Sequence, residues 1–302
     1  MKVEWRKIQL VQDMQDYIKE HIQQEDFDLK NLYKQMGYSA RHCERVFKEL
    51  MGSTLPEYIR AIVLSQSSQT LLQTDKKILE IAMDSNFTTH EGYTRAFENS
   101  FGISPHQYRK HPGPIPLFVP YPISSYYLYF YKKEELGMEN QTKLCMITAV
   151  ARPQRKLLFL PSKQATDYFS YCEELGCAWE GLFNSIPNKL ETAALLELPK
   201  QFVKEGESCI ASGVELPMDY DAAIPEGCRI EILEPCEMLY FESEPITKEE
   251  EFFAAMDRVL EAVKKYQPEK YGYQYADDIA PRINLGGETA ARYAIPVRKI
   301  EK

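Results

Sequence analysis

The sequence lacks any apolar run near the ~18 residues of a membrane span, and its first ten residues, MKVEWRKIQL, hold no apolar stretch of the signal-peptide kind. A cytoplasmic protein is expected. Cysteine is sparse and unpatterned. The seven (Cys43, Cys145, Cys172, Cys177, Cys209, Cys228 and Cys236) are odd in number and never in a CxxC spacing. They read as buried free thiols, not as a disulfide framework or a zinc site. Histidine is rarer still. His21, His42, His90, His106 and His111 are all there is, so Ser-His and Cys-His nucleophiles are excluded beyond residue 111. There is no GxGxxG, no Walker loop and no HExxH, which leaves nucleotide and zinc-hydrolase chemistry without support. Neither a cofactor nor a metal is expected.

What is present fits two globular domains. The chain has 302 residues, 44% hydrophobic and 27% charged, about twice a usual ~150-residue domain and too apolar for disorder. The net charge of −9 is unevenly spread. Residues 1–112 carry 15 Lys+Arg and 15 Asp+Glu, whereas residues 113–302 carry 21 and 30. A neutral N-terminal part does not advertise nucleic-acid binding by composition, so pattern must decide. The boundary is marked by five prolines in His111–Pro122, which no helix or central strand tolerates. Residues 113–142 therefore read as a linker, with a strand-like aromatic run SSYYLYFY at 124–131 and a polar stretch at 132–143.

The N-terminal part is helical and repeats itself. Leu10, Met14, Ile18 and Ile22 are spaced for a helix over 9–24. Asp28 caps a helix at Leu29–Met36, Gly37 ends it, and Ser39 caps Ala40–Met51, which turns Cys43, Val46, Phe47 and Leu50 inward. The pattern then recurs. Asp75 precedes Ile78–Ser85, Asn86 takes the turn, and Thr88 or Thr89 caps a helix to Phe101. Leu29, Leu32 and Tyr33 match Ile78, Ile81 and Ala82 at an offset of 49, while Arg45, Phe47, Gly52 and Tyr58 match Arg95, Phe97, Gly102 and Tyr108 at 50. Between the copies Leu55–Leu72 reads as one helix opening at Pro56, roughly 25 Å long. Such a connector suits two recognition helices set about one DNA turn, roughly 34 Å, apart.

Ile78, Ile81-Ala82, Asn86-Phe87, Phe97, Phe101-Gly102, Ser104-Pro105 and Tyr108-Arg109 resemble the pattern of the AraC/XylS-type DNA-binding domain, over residues 5–110. The departures are Asn86 at the turn glycine, and Ile62 and Ser68 where the connector helix often has arginine and alanine. The resemblance implies an all-α tandem helix-turn-helix domain over 1–112 that binds two adjacent major-groove segments of double-stranded DNA. Exposed positions near the starts of the second helices would face bases and phosphates. These are Arg41, His42, Glu44 and Arg45 in the first copy, and His90, Glu91, Thr94 and Arg95 in the second. Arginine can pair with guanine and glutamate can accept from cytosine. Against this, Arg45 and Arg95 could instead pair with Glu49 and Glu98 within the domain.

From residue 143 strands alternate with helices. Strands are expected at 144–150, 156–160, 192–198, 207–216, 229–242 (broken near Pro235), 271–276 and 290–300, with amphipathic helices over 165–186 and 247–266. This gives β-α-β-β twice, a pseudo-symmetric α+β domain. Ile210-Ala-Ser-Gly-Val-Glu215, Ile224-Pro-Glu-Gly227 and Ala294-Ile-Pro-Val297 make residues 143–302 resemble the GyrI-like effector-binding domain. An AraC-type module followed by a GyrI-like one resembles Rob-type bacterial regulators. The resemblance implies multidrug-type sensing, with a cleft between the repeats that binds small amphipathic, often cationic, molecules through aromatic walls and an acid. The candidates are Trp179, Tyr240, Tyr273 and Tyr275, with Glu180, Glu215 and Glu242. Gln274, on what reads as the penultimate strand, stands where the family frequently has an acid. Each aromatic alone fits a core equally well. The expectation is a non-enzymatic transcription regulator whose partners are DNA, a small effector and RNA polymerase, with no membrane. A carboxylate–tyrosine hydrolase and an acidic interaction scaffold are the competing readings.

Overall fold

The computed structural model describes residues 5–24, 27–124, 127, 144–246, 251–285 and 289–300. The chain divides into two compact units: Met1–His111 with Phe118–Asn140, and Pro112–Leu117 with Gln141–Lys302. Residues 113–142 are thus shared between the units. Of the strand-like reading at 124–131 only Ser124 and Tyr127 are described, and both are helical, not extended; 132–143 lies outside the described residues.

The first unit is helical: α1 (Trp5–His21), α2 (Leu29–Met36), α3 (Ala40–Met51), α4 (Leu55–Gln73), α5 (Ile78–Asp84), α6 (His90–Phe101) and α7 (Pro105–Lys110). Its punctuation repeats. Gly52 and Gly102 end α3 and α6 in the left-handed region, at φ 73° and 71°. Thr54 and Ser104 then cap α4 and α7, with Glu57 and Gln107 closing reciprocal boxes. Asp28, Ser39 and Thr89 each accept a backbone N–H at the start of their helices. Asp75 does not. The residue before α5 is Lys77, whose N–H donates to Glu80. Asn86 adopts φ 58° in the second turn, where Gly37 holds φ 70° in the first. Leu10, Met14, Ile18, Leu32, Cys43, Val46 and Phe47 share one core.

The proline-rich segment is tied at both ends within the units. In the first, Ser65 accepts from the Phe118 N–H at 2.7 Å and Gln15 accepts from Ile123 at 2.9 Å while donating to the Tyr121 carbonyl at 2.8 Å. In the second, the Ile115 N–H donates to Ser185 at 2.9 Å.

The second unit is one antiparallel sheet: β1 (Cys145–Arg152), β2 (Arg155–Pro161), β3 (Ala194–Glu197), β4 (Ile210–Leu216), β5 (Arg229–Leu233), β6 (Cys236–Ser243), β7 (Tyr273–Tyr275), β8 (Arg282–Leu285) and β9 (Arg292–Lys299). The spatial order is β1-β6-β9-β8-β3-β4-β2-β5, with β7 on β9. Two short turns, Pro153-Gln154 and Glu234-Pro235, join strands from opposite ends of that order. The sheet must therefore curl until its ends face each other.

Helices α8 (Tyr168–Leu175), α9 (Ala178–Asn184) and α10 (Phe252–Lys265) complete the unit. Strand alternation fixes the layers. Leu158, Val214 and Leu216 face α8 and α9, and Leu239, Phe241 and Ile295 face α10. Leu157, Phe159, Ala211, Tyr240 and Ala294 point to the other side. Three expectations are corrected. The helix over 165–186 is two, because Gly176 turns the chain at φ 78°. The strand over 229–242 is two full strands, β5 and β6. An additional strand, β8, lies between β7 and β9, so Tyr273–Tyr275 is not the penultimate strand.

Candidate functional site

In the helical unit the second helix of each repeat buries one face and presents the other. On α3, Cys43, Val46 and Phe47 are fully buried, whereas Arg41, Glu44 and Arg45 are exposed and His42 is half-buried. Two of these are held by neighbours that sequence reasoning missed. The Tyr33 hydroxyl on α2 donates to Glu44 at 2.9 Å, and His42 stacks on Tyr38, ring centroids 4.9 Å apart. Tyrosines at the end of α2 and in the turn are close enough in sequence to have suggested this. Arg45 pairs with Glu49 at 3.3 Å, and Glu49 also accepts from Lys7 at 2.6 Å, which holds its carboxyl below the usual range. The exposed Arg45–Glu49 pair is weak, and an arginine in it remains available to an anion.

On α6, Tyr93 and Phe97 are buried while Glu91 and Arg95 are exposed and His90 is half-buried. The Arg95–Glu98 pair is not found among the described residues. Thr94 departs from expectation. The residue is half-buried, and its hydroxyl is buried with no hydrogen-bond partner among the described residues, so it is not presented as the exposed Glu91 and Arg95 are. The connector α4 supports this copy directly. Ser67 receives the Tyr93 hydroxyl at 3.0 Å, and the Leu71 carbonyl accepts from Arg109 Nε at 3.0 Å. Burial pushes the Tyr93 hydroxyl up to about 12.

In the sheet unit the expected ligand residues separate into three places. Trp179, 4% exposed, lies on the helical side of the sheet. Around it are further rings from α8 and α10. Tyr168 meets Trp179 at 6.3 Å and Phe253 at 6.4 Å, and Phe169 meets Phe253 at 5.7 Å. Tyr168, Phe169 and Phe253 are half-buried. They join α8 to α10, and the adjacent aromatics at 168 and 169 were the visible signal.

Tyr240 and Glu215 lie on the opposite side. Glu215, 3% exposed, accepts from Arg152 and from Arg155 Nε at 2.6 Å. Arg155 is fully buried, and its other nitrogens meet the Pro153 carbonyl at 3.1 Å and the sulfurs of Cys236 and Met238 at 3.7 Å. Burial works against the Arg152 charge and the Glu215 carboxylate outweighs it, holding the guanidinium above its ordinary range. The Tyr240 hydroxyl is raised by burial. Glu242 sits in the same row, cross-strand from Arg292. Two guanidiniums on one carboxylate leave Glu215 no free charge for an organic cation.

Tyr273 and Tyr275 form the third group. Both pack against the α10 side, and Gln274 between them is exposed. Tyr273 and Tyr275 share the α10 core and not the cluster of Trp179, and alternation along β7 sets Gln274 opposite both.

A model described as "Helix-turn-helix domain" matches residues 32–111. The right origin-binding protein of Escherichia coli K12 is 35% identical over 103 residues, 34% of this chain and 35% of that protein. The probable transcription factor PqrA of Proteus vulgaris is 31% identical over 108 residues, 35% of this chain and 88% of that protein. The multiple antibiotic resistance protein MarA of Salmonella typhimurium is 32% identical over 94 residues, 31% of this chain and 73% of that protein. The chain belongs to the AraC family of regulators. It spans about a third of the length of the right origin-binding protein. Among the described residues no helix is long and apolar enough to cross a membrane.

Proposed function

We propose that the protein is a sequence-specific DNA-binding transcription regulator of the cytoplasm, with residues 1–112 reading DNA and residues 143–302 binding a small amphipathic or aromatic effector. The observation that carries the first half is the repeated unit itself. Two helix-turn-helix copies with matching caps expose Arg41 and Arg95 on their second helices. They are joined head to tail by the 19-residue α4, ~28 Å long. A head-to-tail pair fits a non-palindromic site. Arg41→Ala and Arg95→Ala are each expected to cost ~1–3 kcal/mol on a selected site and little on random DNA. Equal losses on both DNAs would reassign them to phosphates, and no loss would reject this orientation of the helices.

The effector half rests on the aromatic group at Trp179. The strand order mirrors about the β8–β3 pair, which supports two repeats, one bearing α8 and α9 and the other α10. Tyr168, Phe169 and Phe253 join their helices, and aromatic faces there suit a flat apolar or cationic molecule at ~0.5–2 kcal/mol per cation–ring contact. A bound aromatic should quench Trp179 in a one-site titration, with Phe253→Ala weakening it and Gln274→Glu leaving it unchanged. If no member of a panel of lipophilic cations and neutral aromatics quenches, the effector reading falls.

A further inference from the structure

The first helix-turn-helix copy holds its polar residues in place in a way that the second does not. The Tyr33 ring on α2 packs against the core that α1 and α3 share, and its hydroxyl donates to Glu44 Oε1 on α3 at 2.9 Å. Burial, and then the Glu44 carboxylate, push that hydroxyl above its ordinary range, so it stays a donor. Glu44 is exposed and makes no other hydrogen bond among the described residues. On the same helix, His42 is stacked on Tyr38. At the matching offsets the second copy has Ala82 for Tyr33, Thr94 for Glu44 and Gly92 for His42, so neither contact has a counterpart there.

A carboxylate facing DNA repels the phosphates, and it gains only by accepting from a base edge. In the major groove cytosine offers its N4 amino group. Adenine sets the acceptor N7 beside its amino group, and guanine and thymine offer acceptors alone. Resting on the DNA-reading assignment above, we propose that Tyr33 is a positioning residue: it fixes Glu44 so that the carboxylate accepts from a cytosine amino group, which gives the first patch a cytosine preference. Tyr33 acts through Glu44 and not on a base. Its hydroxyl takes one carboxylate oxygen and leaves the other for the cytosine, so a flexible side chain is ordered before DNA arrives.

The test measures binding of the full chain to a site selected from random duplexes and to its single-base variants, for wild type, Tyr33→Phe, Glu44→Ala and the double variant. Within the patch lost with Arg41→Ala, one cytosine is expected whose change to thymine weakens wild-type binding about tenfold. Tyr33→Phe keeps the ring in the core and is expected to cut that penalty to roughly threefold, with affinity for the thymine site unmoved. Glu44→Ala is expected to remove the penalty, and Tyr33→Phe added to it to change nothing more. A merely structural tyrosine would lower binding to both sites alike, with or without Glu44. That result, a patch without such a cytosine, or a preference that survives either substitution intact would overturn the role of Tyr33 and leave the DNA reading standing. Failure of the wild type to select any site would overturn both.

Discussion

Glu215 shows how a side chain's charge can be legible in a sequence while its partners are not. An acid on a strand near aromatic residues suggests a cation site, yet Arg152 and Arg155 occupy both its oxygens. Buried pairs of this kind are costly to break, because the partner left behind keeps its charge. Glu215→Gln is expected to destabilise the sheet unit by ~3–5 kcal/mol in urea unfolding followed at Trp179. A loss under ~1 kcal/mol would mean that water, not Glu215, balances the two arginines. Tyr93 and Tyr108 make a second residue-scale prediction. Burial lifts both hydroxyls from 10.0 to about 12. The folded values lie above the unfolded ones, so their contribution is complete below pH 10 and is lost as pH rises toward 12. The cost reaches up to roughly 3 kcal/mol each. The helical unit should therefore weaken between pH 10 and 12, and Tyr93→Phe with Tyr108→Phe should flatten that decline.

At the scale of elements, Asn86 carries the second turn at φ 58°. Asn86→Gly should be tolerated, whereas Asn86→Val should cost ~1–2 kcal/mol, because a branched Cβ resists the left-handed region. Equal melting of the two variants would show that the turn is not under conformational constraint. The Gln15 side chain bonds Tyr58, the Tyr121 carbonyl and the Ile123 N–H. Gln15→Ala should accordingly expose residues 118–124 to protease sooner than it lowers the melting temperature of the helical unit.

The helical unit was readable in advance because its signals are local. Asp28, Ser39, Gly37, Gly52 and Thr54 each act within one turn of where they stand in sequence. The sheet unit was less so. Arg282–Leu285 is only four residues long and earns its place as β8 by pairing with β3, some ninety residues earlier. The break at Gly176 was missed, because the apolar spacing on both sides of it reads as one helix. The separation of Trp179 from Glu215 depends on which face each strand turns inward, and hydrophobic pattern alone does not say which of two buried faces meets a helix.

For the whole molecule, DNA reading is proposed as the property of one tandem repeat, and effector binding is proposed for the acidic second unit. The charge split agrees with that division, since residues 1–112 sum to zero and the remainder carries −9. Salt dependence should then reflect the few phosphates met locally, not the negative total. The most direct measurement is selection of binding sites from random duplexes, followed by methylation-interference mapping on the selected sequence. The account predicts two different, non-palindromic major-groove patches about 10 base pairs apart, one lost with Arg41→Ala and the other with Arg95→Ala. A palindromic pair of identical patches, or a single patch insensitive to either substitution, would contradict it.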